Sequence, residues 1–307
     1  MPLVPYGRMQ EVPALRPLSV GDIIDRTIRL FRANFVLFFS VAALPTLIAV
    51  VLERAFGLTQ TFDLSDFTSA LSSPGGTVVL PRQLQPADPI AAFIVGLVSF
   101  ALFIIQYGAL VYIAGQRYLG RPATIRDGFV AGLRAAPRLF LSGLVVIAVI
   151  AVVFVVLFIG VAALNSQAFA AAAIILGLIG FFIVFPYVLL SLAVLGPAVV
   201  LEGLGPIAAI RRSFHLMQKA RWRTFGLYIL MGIISSLLGL IFTVLFFVSF
   251  VSEPTVRTVL QGVAGIASAA VSYPLVYGSL TLLYYDLRVR KEAFDLQLAA
   301  EALPRDA

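Results

Sequence analysis

Cysteine is absent from the 307 residues, and histidine occurs once, as His215. The first absence excludes disulfides, thiolate nucleophiles and cysteine-ligated metals. The second leaves almost no scope for a histidine metal site or a proton relay. His215 has no histidine, cysteine or carboxylate at ligand spacing and sits on a basic segment, so a structural or interfacial role is expected. Charge is scarce: charged residues make up 12% of the chain, against roughly 25% in a soluble domain. No phosphate-binding loop, G-x-G-x-x-G pattern or G-x-S-x-G elbow occurs. The expectation is a protein without enzymatic activity and without a cofactor.

What is abundant is apolar. Hydrophobic residues account for 61% of the chain and the mean hydropathy is +1.02, which places it in the membrane class. The net charge of +7 calls for an anionic partner; in a chain this apolar that partner is the lipid bilayer surface rather than nucleic acid. Residues 1–34 contain no short apolar core of the kind a cleavable signal peptide has, so none is expected.

Six apolar stretches are long enough to cross about 30 Å of hydrocarbon at 1.5 Å per residue. They run approximately over 35–52, 90–114, 139–164, 171–199, 224–250 and 259–285. Between the third and fourth, Asn165-Ser166-Gln167 is the only polar cluster in a run too long for one crossing, so a tight hairpin is expected there. The loop 53–89 is the longest polar stretch between spans, with room for a short helix near Leu64–Leu71. With the N-terminus in the cytoplasm, the inside segments 1–34, 115–138, 202–223 and 286–307 hold 5, 5, 5 and 4 Lys/Arg, and the outside loops hold only Arg54, Arg82 and Arg257. That 19-to-3 split of the 22 basic residues obeys the positive-inside rule and places both termini in the cytoplasm.

One element recurs. Ser19 and Thr124 are each followed three residues later by an aspartate, Asp22 and Asp127, which is a helix-start signature of the capping-box type. Arg29 and Arg134 come ten residues after these caps, and Phe35 and Phe140 sixteen after. A looser third copy starts at Gly205-Pro206, with proline at the first helical position, and leads through Lys219 to Phe225. In the first copy Ile24, Ile28, Phe31 and Phe35 form a stripe, with Asp22, Asp25, Arg26, Arg29 and Arg32 off it. In the third, Ile207, Ile210, Phe214 and Met217 form the stripe, with Arg211, Arg212, His215 and Lys219 off it. An apolar stripe beside a basic face describes a helix lying in the membrane interface. The expected architecture is an all-α integral membrane bundle: six transmembrane helices in three hairpin units, each preceded by a cytoplasmic-side amphipathic helix. All three units begin on the same side, so any symmetry axis runs along the membrane normal.

Candidate contacts for anionic lipids or for a cytoplasmic or membrane protein partner are Arg26, Arg29, Arg32, Arg134, Arg138, Arg211, Arg212, Lys219, Arg221 and Arg223. The plainer reading of such residues is that they set topology. The expected spans contain no Asp, Glu, Lys, Arg or His in their interiors, which disfavours ion coupling through carboxylates. Gln106, Tyr107, Tyr187, Tyr273 and Tyr277 are the candidate lining of a cavity between even-numbered spans. The alternative is that the Gln106 amide bonds to a neighbouring helix and the tyrosines are packing aromatics.

Three patches also resemble a known family. Arg16 to Phe35, Ile210-Arg-Arg-Ser-Phe-His-Leu216 with Arg221-Trp-Arg-Thr-Phe-Gly226, and Leu282 to Glu292 look like the corresponding parts of bacterial glycerophosphoryl diester phosphodiesterase membrane-domain proteins. That resemblance implies an all-α multipass domain in a bacterial plasma membrane. It does not extend to the phosphodiesterase, whose paired histidines, acidic metal ligands and separate barrel have no counterpart here. Two functions are expected on these grounds: a scaffold or lipid-associated accessory protein with a basic cytoplasmic face, or a small-molecule or lipid transporter.

Overall fold

The computed structural model describes residues 16–58, 88–162, 184–249 and 252–302, together with Gly177 and Phe182. The start of the N-terminal tail, the short helix expected near Leu64–Leu71 and the hairpin at Asn165–Gln167 lie outside the described residues. Within them, all regular structure is helical. In chain order the helices are α1 (Val20–Ala33), α2 (Phe35–Ala55), α3 (Pro89–Tyr118) and α4 (Ile125–Ala162). A helical stretch over 184–191 leads through a turn into α5 (Leu195–Glu202). Then come α6 (Pro206–Met217), α7 (Arg221–Ser249), α8 (Pro254–Glu292) and α9 (Phe294–Ala302). Six helical segments are long and apolar enough to cross a membrane: Phe35–Ala55, Pro89–Tyr118, Ile125–Val152, Val184–Glu202, Arg221–Ser249 and Thr255–Glu292. The chain is built as a multipass membrane protein. Large side chains such as Val36, Ile90, Phe93 and Ile147 remain more than half exposed along these segments, as a surface solvated by lipid requires.

Local chemistry sets the helix starts. The Ser19 hydroxyl accepts from the Asp22 amide at 3.1 Å, and the Asp22 carboxylate accepts from the Ser19 amide at 2.8 Å. Thr124 and Asp127 repeat the pattern at 3.2 and 2.9 Å. These reciprocal bonds satisfy amides that the first turn leaves unpaired.

The repeated starts lead into different helices, and one residue separates the first two. Asn34 ends α1: its side-chain amide donates to the Leu30 carbonyl at 3.1 Å, and α2 begins at Phe35. The matching position of the second copy is Leu139, which cannot cap. There α4 continues without a break from Ile125 to Ala162, through Pro137. The expected surface helix and third span are therefore one helix. In the third copy the break comes earlier, at Gln218–Ala220, where Lys219 takes a left-handed conformation with φ 63°.

Glycines set a close crossing of α3 and α4. A methyl group on Gly132 of α4 would lie 2.9 Å from the Ala109 amide nitrogen of α3 and closer still to the Ile105 carbonyl. On Gly108 of α3 it would meet the Gly132 Cα at 2.9 Å, and on Gly128 it would overlap the Ile113 side chain. Small residues let membrane helices approach backbone to backbone, where lipid tails leave no hydrophobic force between spans. Next to this crossing, α3 is fastened to α2: the buried Gln106 amide donates to the Ala42 carbonyl and, at 3.1 Å, to the Thr46 hydroxyl.

The largest cluster of buried side chains joins Leu18, Ile23, Leu216, Met217, Leu282 and Tyr284 with residues of α5 and α7. These lie toward the charged ends of the helices, where water is the competing solvent. There the hydrophobic effect does operate, at about 1.5–3 kcal/mol per fully buried Leu, Ile or Met side chain.

Candidate functional site at the basic end

All four basic segments converge on one end of the bundle. The Leu18 amide donates to Asp286 of α8 at 2.6 Å, joining residues 268 positions apart. Arg26 of α1 reaches the Tyr118 hydroxyl at the end of α3 at 3.3 Å. Arg138 of α4 donates to the Gly203 carbonyl just after α5, where Gly203 turns the chain with φ 68°. Lys291 of α8 donates to the His215 carbonyl of α6 at 2.8 Å.

Two carboxylate centres hold this end together. The Asp286 side chain is fully buried and accepts from Arg223 of α7 and, at 3.0 Å, from Arg290. The same two arginines donate to the Leu18 carbonyl, so the chain entering α1 is clamped to α7 and α8. At the second centre Arg212 of α6 binds both Glu202, at 2.7 Å, and Glu292, at 2.9 Å. Arg288 bonds Glu292 at 3.2 Å and lies 3.7 Å from Glu202, which also accepts from the Tyr284 hydroxyl. The Glu292 hydrogen bonds above all, and then those of Glu202, raise the Arg212 pKa above its ordinary value against the opposing pull of burial. Three carboxylates thus face four guanidinium groups, and each charge has a partner. Removing one partner from such a set is costly, about 3–5 kcal/mol when the remaining charge is buried. Arg288 also lies 3.8 Å from the Phe294 ring centroid, tying α9 to α8.

The sequence-level candidates fall into two groups. Arg212, Arg221 and Arg223 belong to the internal framework: Arg221 donates to Ser191 at 2.8 Å and lies 4.1 Å over the Tyr187 ring. Arg26 and Arg138 are engaged by the Tyr118 hydroxyl and the Gly203 carbonyl. Arg29 pairs with Asp25, with both side chains more than 60% exposed, a kind of pair that contributes little. Arg32, Arg134, Arg211 and Lys219 are exposed, and their side chains carry no ion pair or hydrogen bond to a described residue. Close in sequence to Arg134, Arg211 and Lys219 are apolar side chains that are also exposed: Leu133 at 61%, Ile207 at 66% and Trp222 at 85%. Free cations beside bare apolar groups are what an interfacial surface presents.

The tyrosine candidates divide as well. Tyr107 and Tyr277 meet edge to face with ring centroids 4.7 Å apart, and Tyr273 stacks on Tyr277 at 5.7 Å. A methyl group on Gly196 of α5 would overlap the Tyr107 hydroxyl, so α5 carries glycine where this ring docks. Tyr187 stands apart, under Arg221, and Gln106 is occupied by α2.

Sequence reasoning did not single out Glu202, Asp286, Arg288, Arg290 or Glu292. A signal was present: Asp286 with Arg290 and Arg288 with Glu292 are opposite charges four apart, the spacing of pairs on a helix. That pattern extends the helix of the sixth apolar stretch past Tyr285, where that stretch ends, and α8 does run to Glu292. Among the described residues no group of three or more His, Cys, Asp or Glu could hold a metal ion.

No curated protein and no solved structure matches this chain. Residues 18–287 match the family described as Domain of unknown function (DUF7847), which takes in everything from the Leu18 clamp to the Asp286 that holds it, and the chain belongs to that family.

Proposed function

We propose that this protein is a non-enzymatic scaffold or lipid-associated accessory protein whose basic end faces the anionic cytoplasmic leaflet of a bacterial plasma membrane. In this reading both termini are cytoplasmic. The bundle consists of three hairpin units, each led in by an amphipathic segment on the basic side. The 19-to-3 charge split supports the orientation, and the resemblance to glycerophosphoryl diester phosphodiesterase membrane-domain proteins supports the compartment.

The observation that carries the reading is the division of the cations. Arginines that face carboxylates hold the bundle's end, which leaves Arg32, Arg134, Arg211 and Lys219 for phosphate groups of lipids or for an acidic protein partner. Each such cation contributes about 1 kcal/mol near an anionic surface. Lys219 adds weight, because it holds φ 63°, where a non-glycine residue costs roughly 1–2 kcal/mol. Such strain at an exposed, charged position fits a side chain kept for use.

The test is native mass spectrometry of the protein released from membranes. Charge reversal at Arg32, Arg134, Arg211 and Lys219 together is expected to lower the number of retained phosphatidylglycerol molecules without changing the circular dichroism spectrum. Unchanged retention would remove the lipid reading. A second reading, a small-molecule or lipid permease, draws on the cluster of Tyr107, Tyr273 and Tyr277 between α3, α5 and α8.

A further inference from the structure

Among the described residues, the tyrosine cluster has an unanswered hydrogen-bonding requirement. None of the hydroxyls of Tyr107, Tyr228 or Tyr277 bonds to a described residue. The three belong to different helices, α3, α7 and α8: the Tyr107 and Tyr277 rings are in edge-to-face contact at 4.7 Å, and Tyr228 lies within electrostatic range of both. Their depth makes this matter. Counting 1.5 Å per residue, Tyr228 lies about 10 Å from Arg221 along α7, Tyr277 about 14 Å from Asp286 along α8, and Tyr107 about 16 Å from Tyr118 along α3. The polar zone of one leaflet is only about 5–8 Å thick. With the charged end at headgroup level, the tyrosines lie several ångströms below the polar zone, inside the hydrocarbon, where bulk water no longer supplies partners. An unbonded hydroxyl there is costly.

The surroundings narrow what the partner can be. Tyr107, Gly196, Tyr228, Tyr273 and Tyr277 bring no formal charge, so nothing in the cluster selects an ion. Hydroxyl donors beside aromatic faces suit a neutral acceptor oxygen attached to an apolar body. Tyr228 is 37% exposed, so the cluster opens sideways toward lipid rather than only along the bundle axis. The nearest neutral acceptors are the ester carbonyls that join glycerol to the acyl chains, at the edge of the polar zone, and a lipid drawn part-way into the cluster brings them to the hydroxyls.

We propose that Tyr107, Tyr228 and Tyr277 form an intramembrane binding site for the glycerol-ester region of a diacyl lipid, entered laterally beside α7. This rests on the permease reading for the location of the site alone, and it requires binding, not transport. The phosphate of the bound lipid lies toward the basic end, and the acyl chains leave between helices.

The test compares dioleoyl phosphatidylglycerol with its diether analogue, which has the same headgroup and chains but no carbonyls. Each is titrated onto the detergent-solubilised full chain and read by native mass spectrometry. The wild type is expected to bind the diester more tightly, about fivefold for each hydrogen bond lost. Tyr107→Phe, Tyr228→Phe and Tyr277→Phe combined should remove that preference. Should the combined variant not fold, each single variant should lose part of the preference, while Tyr112→Phe, outside the cluster, should keep all of it. Equal affinity of the wild type for both lipids, or a preference untouched in the Phe variants, overturns the proposal. Headgroup binding fails separately: neutralising Arg32, Arg134, Arg211 and Lys219 lowers both affinities and leaves their ratio unchanged.

Discussion

Replacing Gly132 by alanine puts one methyl group into the backbone-to-backbone crossing of α3 and α4. The added Cβ would stand 2.9 Å from the Ala109 nitrogen and nearer to the Ile105 carbonyl. Both obstacles are backbone atoms, so no rotamer change relieves the clash, and α3 and α4 must separate by a sizeable fraction of an ångström. Overpacking of this kind costs about 1–3 kcal/mol, and the rigid obstacles place Gly132 at the upper end. Separation also loosens Gly108 against Gly132, so the loss extends along the whole crossing. Gly143, eleven residues further along α4, is the internal control: a methyl group there meets nothing within 4 Å. Removing glycine from an open helix position is stabilising by up to about 1 kcal/mol. The assay is the apparent melting temperature in detergent followed by far-ultraviolet circular dichroism. Gly132→Ala should lower it by about 4–6 °C, at roughly 2 °C per kcal/mol for a chain this long, while Gly143→Ala should leave it level or raise it. If the two variants melt alike, helix contact at these glycines does not hold the bundle together.

Other consequences concern the ends of the helices and the free cations. Asp286→Ala leaves Arg223 and Arg290 without their buried carboxylate and frees Leu18; a loss of about 3 kcal/mol is expected, with faster proteolysis before Val20. Ser19→Ala removes the cap of α1 at about 1 kcal/mol, read as roughly fivefold faster hydrogen exchange in its first turn. Backbone and side-chain hydrogen bonds from Ser19 hold the Asp22 carboxyl below its usual pKa. Its contribution is therefore complete above the ordinary carboxylate pKa and is lost only as pH falls through the depressed one. Exchange protection of that turn, corrected for intrinsic rate, should be flat from pH 5 to 8. Lys219→Gly relieves a left-handed backbone, so it should raise the melting temperature while lowering phosphatidylglycerol retention.

How much of this could be read from the residues depends on the range of each interaction. Helix starts were legible because Ser19 with Asp22 and Thr124 with Asp127 act within one turn. The convergence of basic segments was legible because membrane topology sorts Arg and Lys along the chain. The unbroken α4 was harder: it depends on Leu139 standing where the first copy has Asn34, a difference that matters only once the copies are aligned and capping is considered. The clamp on Leu18 was out of reach, since Asp286 lies 268 residues away and nothing local links them. Tyr107 is legible only as an aromatic next to Gln106. Its seat on Gly196 is a property of how α3 and α5 pack, and one glycine in a glycine-containing apolar run does not announce it.

The division of the cations into a paired framework and a free surface is tested by one paired measurement. Melting temperature and phosphatidylglycerol affinity are determined for two variants, Arg212→Gln and the combined Arg32→Gln, Arg134→Gln, Arg211→Gln and Lys219→Gln. The prediction is that the first lowers the melting temperature and leaves affinity per folded molecule unchanged, and that the second does the reverse. Equal loss of lipid affinity in both, or none in the combined variant, would contradict the assignment of the free cations to the membrane surface.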